Sequence, residues 1–307
     1  MMNCLLTYVF QILLAEKEGF VVIWPQGNMD AGVTYNTCWN AGACCCFDKD
    51  FLDPLIQYVN IDDSGFLRQA ISNTADNVIK DANVTIDTTR IYFAGHSNGC
   101  MMGQNMASQA SDLVAAVCCH SGILVSDIAS SYKPTPIHVV HGELDLIVPF
   151  NHSWQGFDIA PDNAVDSFRF WGDTNGCKKM DTTVDDSNLY STHSFSDCND
   201  NTNVQLLQVF NGGHTPYLGV NYTSPGESPD VEITNVDTTM LSWDFCSQYQ
   251  SESKPTLPNP VPYVSSYTFI DASNNNTSVI QPSSDGSYIS TNLIPGLIAL
   301  IYFVFRF

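Results

Sequence analysis

The pentapeptide Gly95-His96-Ser97-Asn98-Gly99 sets a serine between two glycines, directly after the apolar run IYFA at 91–94. A nucleophilic serine needs that spacing. On a sharp strand-to-helix turn its hydroxyl is exposed, and glycines beside it let the chain turn without a Cβ clash. The hydroxyl is a weak nucleophile at neutral pH, so it needs a histidine as general base and a carboxylate to orient that histidine. Partners in the order acid, then histidine, lie downstream. Asp145 follows the run IHVV (137–140) in HGELDLIVP and precedes an apolar stretch; Glu143 is its rival and Asp173 a weaker one. His214 closes NGGH (211–214) after the run VQLLQVF (204–210), in a Gly-Gly turn from which its ring can reach back. The other histidines suit the role less well. His96 lies inside the pentapeptide and is expected to point away from the Ser97 side chain. His138 lies within a strand, His120 and His141 stand at strand ends as structural groups, and His152 and His193 lie in polar loops. The backbone N–H of Asn98, next after the nucleophile, is the expected oxyanion donor. The pattern predicts acyl transfer at Ser97 with no cofactor. No CxxC pair is matched by a second CxxC or an HxxxH, so no zinc site is expected.

These groups need elements to hold them. Residues 15–250 alternate strand-like and helix-like segments, which predicts a mainly parallel sheet flanked by helices. FVVIW (20–24), IYFA (91–94), LVAAVC (113–118), IHVV and VQLLQVF read as strands. Residues 65–79 read as a helix, with Phe66, Leu67, Ala70, Ile71, Ala75, Val78 and Ile79 on a helical repeat. Three of the strands finish at Ser97, Asp145 and His214, and open α/β sheets carry their sites at the carboxyl ends of strands.

Composition narrows the partners. The 32 acidic and 11 basic side chains leave a formal charge of −21, a field that repels nucleic acid and anionic lipid headgroups. Hydrophobic residues make up 44% of 307, enough for the core of one large domain. The 11 cysteines point to disulfides in an oxidising compartment, and the sequons at Asn83, Asn151, Asn221, Asn275 and Asn276 suit a secreted glycoprotein. The domain division expected from sequence has four parts: an apolar segment 1–14, an α/β domain 15–250, a Ser/Pro/Asn-rich stalk 251–292 and a hydrophobic tail 293–307. The first segment has no preceding Lys or Arg, so it makes a poor signal peptide. The tail, LIPGLIALIYFVFRF, is shorter than the ~20 residues of a spanning helix. With small residues at Ser283, Ser284 and Gly286 before it, the tail fits a GPI-attachment signal, with a short membrane anchor as the alternative. The expected location is extracellular or at the cell surface.

Residues 15–246 resemble the extracellular esterases that include polyhydroxybutyrate depolymerases and family 1 feruloyl and acetylxylan esterases. The matching pieces, in order, are AEKEGFVVIWPQG, CWNAGACC, DDSGFLRQAI, IDTTRIYFAGHSNGCMM, HGELDLIVPF, FWGDTNGC and NGGHT. The resemblance implies an α/β-hydrolase fold and a carboxylic ester substrate from a polymer or plant wall, of the feruloyl esterase or polyhydroxybutyrate depolymerase kind. It implies Ser97 as nucleophile, Asp145 as acid and His214 as base. It leaves Trp39 either lining the cleft or packing. It implies that the run Cys44–Cys45–Cys46 contributes a disulfide near the pentapeptide, to Cys100, Cys118 or Cys119, and that Cys177 bonds Cys198. Asp62 and Asp63 are expected at a helix start, where acids meet the positive end of the helix. The sequence also departs from the family, in which a strand and a His-Gly loop that supplies a second oxyanion donor precede the position of Ala15. Two expectations follow: N-terminal strands that are truncated, or a catalytically impaired surface glycoprotein that binds through a hydrolase fold. Cys100 where relatives carry Gly, and Pro216 where they carry Trp, bear on cleft shape.

Overall fold

The computed structural model describes residues 13–29, 37–43, 62–82, 86–154, 159–217, 236–260, 267–271, 276–280 and 301–306. Its centre is a run of parallel strands: β4 (Asp87–Gly95), β5 (Ala116–His120), β6 (Ile137–Gly142) and β9 (Val204–Val209). The antiparallel hairpin of β7 (Lys179–Val184) and β8 (Tyr190–Ser196) extends this sheet at one side, and β7, exposed throughout, is its edge. At the other side lies β1 (Phe20–Ile23), separated from β4 by β12 (Ile301–Arg306). A short pair, β2 (Asn28–Met29) with β3 (Thr37–Cys38), stands apart. A mostly parallel sheet flanked by helices, with a serine at the turn from a central strand into a helix, makes this the α/β-hydrolase fold.

Alternation along the central strands sorts their side chains to two faces. Ile91, Phe93, Val117, Val139 and Leu206 join one core cluster, while Tyr92, Ala116 and Cys118 join another. The first face is covered by α1 (Asp63–Ala82), α2 (Asn98–Gln109) and α3 (Ala164–Thr174), the second by α4 (Thr238–Cys246). In α1 the stripe Leu67, Ile71, Ala75 is buried at four-residue steps, the helical period seen in the sequence. Asp62 caps this helix by accepting from Gly65 N at 2.8 Å. Asp63 does something further: its Oδ2 accepts from Asn40 N at 2.7 Å and tethers the 37–43 loop. Burial raises its carboxyl pKa against the lowering pull of that bond.

Three features differ from expectation. The apolar run at 113–118 is only partly a strand. Leu113 and Val114 are buried, yet both amides bond to Ala110 O in a turn, and the strand starts at Ala116. The stretch expected as a stalk docks on the domain at its start. Ser251 N donates to Thr89 O at 2.8 Å, Gln69 Nε2 to Asn259 O at 3.0 Å and Ser72 Oγ to Pro258 O, and Leu257 packs against the main core. Polar, proline-rich sequence shows no apolar period, but its carbonyls can be held by side chains of α1. Further along that stretch, β10 (Tyr267–Asp271) and β11 (Asn276–Ile280) form a hairpin. The hydrophobic tail contributes β12, which runs antiparallel to β1 and β4 and sets Ile301 opposite Gly95. Among the described residues, no helix is long and apolar enough to cross a membrane.

The disulfides also differ. Cys100 bonds Cys119 and Cys118 bonds Cys246, while Cys177–Cys198 forms as expected. Cys118 and Cys119 are neighbours on β5 and so point to opposite faces. One staples the strand to α2 and the other to α4. Residues 44–46 lie outside the described residues; Cys38 is disulfide-bonded as well.

Candidate active site

Ser97 has φ 56° and ψ −123°, a left-handed backbone in a non-glycine residue. Such a conformation costs about 1–3 kcal/mol and persists only where its surroundings impose it. Here they do. Ser97 N donates to His120 O at 2.9 Å, and Ser97 O accepts from Cys100 N and Met101 N at 2.9 and 3.1 Å. The Cys100–Cys119 bond ties the same turn to β5. Gly122 leaves the room for it, since a Cβ there would come within 2.6 Å of Cys100 Cβ and 2.8 Å of Ser97 O.

Asn98 is the first residue of α2, where backbone N–H groups have no intrahelical acceptor. No hydrogen bond among the described residues takes its N–H, which stays available to an oxyanion. Its side chain makes a two-point clamp on the backbone of Trp39: Oδ1 accepts from Trp39 N at 2.7 Å and Nδ2 donates to Trp39 O at 3.1 Å. Trp39 itself has no exposed surface and belongs to the main core. Of the two alternatives left open by the sequence, its burial favours packing behind the turn. Trp39 N and Asn40 N, the amides of the loop against the turn, are both engaged, by Asn98 and Asp63.

Asp145 is buried just past β6. Its Oδ1 accepts from Ile147 N and Val148 N at 2.9 and 2.8 Å. Its Oδ2 lies 2.8 Å from His214 Nδ1 and 3.3 Å from His141 Nε2. Burial pushes its carboxyl pKa up, but the hydrogen bonds from His141 and His214 outweigh it and hold the group well below the usual carboxylate range. Glu143 is exposed and accepts from Gln208 Nε2 and Asn211 N, both at 3.2 Å, which braces the histidine loop from outside. Asp173 is on the exposed surface of α3. The two loops meet closely because Gly142 has no side chain: a Cβ there would collide with the carbonyls of Gly212 and Gly213.

His214 is buried with Nδ1 committed to Asp145 and Nε2 without a partner. No hydrogen bond joins Nε2 to Ser97 Oγ; such contacts commonly tighten only around a substrate. The ring of His96, next to Ser97, lies 4.7 Å from that of His214, tilted by 53°. Rather than merely turning away from Ser97, His96 packs against the candidate base. Burial, then His214, keeps its pKa well below the ordinary value, so it stays uncharged beside His214. His120 donates from Nε2 to Thr238 Oγ1 at 2.8 Å, and His138 donates from Nδ1 to Gln205 Oε1 at 2.8 Å. Burial lowers their pKa values to about 3 and about 4. His152 and His193 are outside this cluster, on a surface turn and in β8. Sequence reasoning passed over His96 and His141 as partners. The signal for His141 was the His-x-x-x-Asp spacing within one turn-forming segment. Among the described residues, no group of three or more His, Cys, Asp or Glu could hold a metal ion.

Residues 53–156 match the phospholipase/carboxylesterase family. The chain is 25% identical to a bifunctional acetylxylan esterase/xylanase of Neocallimastix patriciarum over 89% of its own length and 31% of that protein. It is 30% identical to a probable acetylxylan esterase A of Aspergillus fumigatus over 36% of its own length and 24% of that protein. It thus spans a third or less of these relatives. A solved structure, that of esterase PE8, aligns with 54% of this chain and 61% of its own at 16% identity and a TM-score of 0.29.

Proposed function

We propose that this chain is a serine carboxylic ester hydrolase. The observation that carries the reading is the pairing of a strained turn that holds Ser97 with the 2.8 Å Asp145–His214 contact at the ends of the neighbouring strands β6 and β9. Ser97 Oγ attacks the ester carbonyl carbon while His214 Nε2 takes its proton. The imidazolium that forms is held by Asp145 through Nδ1–H. The tetrahedral oxyanion is met by the Asn98 N–H. Collapse expels the alcohol, protonated by His214, and leaves an acyl group on Ser97. Water, deprotonated by His214, releases the acid.

The match to acetylxylan esterases favours a short acyl group on a polysaccharide over the feruloyl or polyhydroxybutyrate ester expected from the motifs. Disulfides, sequons and net acidity favour an extracellular setting. The test is turnover of 4-nitrophenyl acetate and of acetylated xylan by the full chain and by Ser97→Ala. The reading expects both activities in the wild type and neither in the variant. Undiminished turnover by Ser97→Ala contradicts it. Release of ferulate with no release of acetate would keep the hydrolase and overturn the acyl class.

A further inference from the structure

His141 is wholly buried at the end of β6, and the proposed mechanism gives it no task. Its Nε2 lies 2.9 Å from Val148 O, an atom that can only accept, so Nε2 carries the proton. The same nitrogen lies 3.3 Å from Asp145 Oδ2. Its Nδ1 is buried with no partner, which fits a bare lone pair. The Nε2–H therefore forks between a carbonyl and the carboxylate that faces His214.

We infer that His141 is a positioning residue for the acid of the triad: its forked Nε2–H fixes the plane of the Asp145 carboxylate and shares Oδ2 with His214. The inference rests on the esterase reading above. Four donors account for the carboxylate, two backbone amides on Oδ1 and two histidines on Oδ2. The amides alone leave the carboxylate free to rock about its Cβ–Cγ bond, because both sit on one oxygen. His141 pins the other oxygen, and by holding Val148 O it also closes the 145–148 turn that supplies those amides. Other titratable groups around the pair are His96, with its ring against His214, and His120 at the end of β5. Both are kept neutral by burial. Glu143 on the same turn faces outward to Gln208 and Asn211.

A second consequence concerns pH. The His141 N–H on Oδ2 draws charge from the carboxylate. Without it, Asp145 holds the protonated form of the catalytic base more tightly, and the acid limb of the kcat/KM profile moves to higher pH.

The experiment compares His141→Leu with His141→Gln in the full chain, using 4-nitrophenyl acetate from pH 4 to 9. Leucine fills a similar volume with no donor, whereas the glutamine amide can place an N–H near the position of Nε2. For His141→Leu the expected result is a kcat about 10–100-fold lower, the rate equivalent of one hydrogen bond to a charged group, with KM little changed. The acid limb should move up by about half a pH unit or more. His141→Gln should recover most of kcat and the wild-type limb. Equal losses in both variants with the limb unmoved would overturn the inference and leave His141 a packing residue. If His141→Leu does not fold, His141→Gln decides: a folded Gln variant crippled in kcat contradicts a donor role. Ser97→Ala in the same assay separates the two levels, because its survival sinks the esterase reading whatever His141 does.

Discussion

Replacing Asp145 by asparagine tests the geometry of the acid site with almost no change in shape. In the structure Oδ1 accepts from Ile147 N at 2.9 Å and Val148 N at 2.8 Å, both donors. An asparagine must keep its oxygen there, or else bury its amide group against two N–H groups. Its NH2 then occupies the position of Oδ2, facing His214 Nδ1 and His141 Nε2. His141 cannot yield, because its N–H is tied to Val148 O. His214 answers by carrying its proton on Nε2, the tautomer that cannot accept a proton from Ser97. Trapping the wrong tautomer costs about 10⁴-fold in kcat in triad hydrolases, or about 5.5 kcal/mol of barrier. Steady-state hydrolysis of 4-nitrophenyl acetate reads this directly, with circular dichroism to confirm folding. Asp173→Asn is the matched control; its exposed carboxylate on α3 should leave kcat within about twofold. A folded Asp145→Asn enzyme within about tenfold of wild type would refute the tautomer argument.

The other predictions concern the frame around the site. Asn98→Ala removes both bonds to the backbone of buried Trp39 and should lower unfolding stability by about 2–4 kcal/mol in urea titrations; an unchanged midpoint would show that the 37–43 loop is held by other means. The Cys118–Cys246 bond closes a separation of 128 residues, so the double Ser variant should lose up to about 4–5 kcal/mol and several degrees of Tm. Acid should weaken the fold well before the carboxylates titrate. His120 and His138 have folded pKa values of about 3 and about 4 against 6.5, so between those limits the unfolded chain binds more protons and stability rises with pH. Lowering the pH from 6.5 toward 4 should therefore cost up to about 2.7 kcal/mol per unit for two such groups. The depressed carboxyl of Asp145 adds its loss only below 3.8. A urea midpoint that stays flat from pH 6.5 to 4.5 would contradict neutral burial of these histidines.

What could be read from the residues was what leaves a local trace. The strand-turn-helix at Ser97 is written in five adjacent residues, and the buried stripe of α1 in a helical repeat. β4, β6 and β9 appear as apolar runs because parallel strands covered on both faces have no polar alternation. Pairings between distant segments leave no such trace. Nothing in the neighbourhood of Cys118 and Cys119 says that one turns to α2 and the other to α4; that follows from strand alternation once β5 begins at Ala116. The clamp of Asn98 on Trp39 uses backbone atoms, which composition cannot reveal. The docking of 251–260 on α1 depends on side chains of Gln69 and Ser72 meeting carbonyls, which a Ser/Pro-rich composition hides. β12 is legible as an apolar run, but an antiparallel strand between two strands that run the same way is not forecast by alternating strands and helices.

The most direct test of the central claim is labelling with a fluorophosphonate probe, followed by peptide mapping. Ser97 armed by His214 should be modified rapidly and stoichiometrically in the folded chain, with the adduct on the peptide containing Ser97. Labelling should slow sharply in His214→Ala and vanish in Ser97→Ala or in urea. A folded wild-type chain that hydrolyses esters while Ser97 stays unlabelled, or is labelled equally fast without His214, would contradict it.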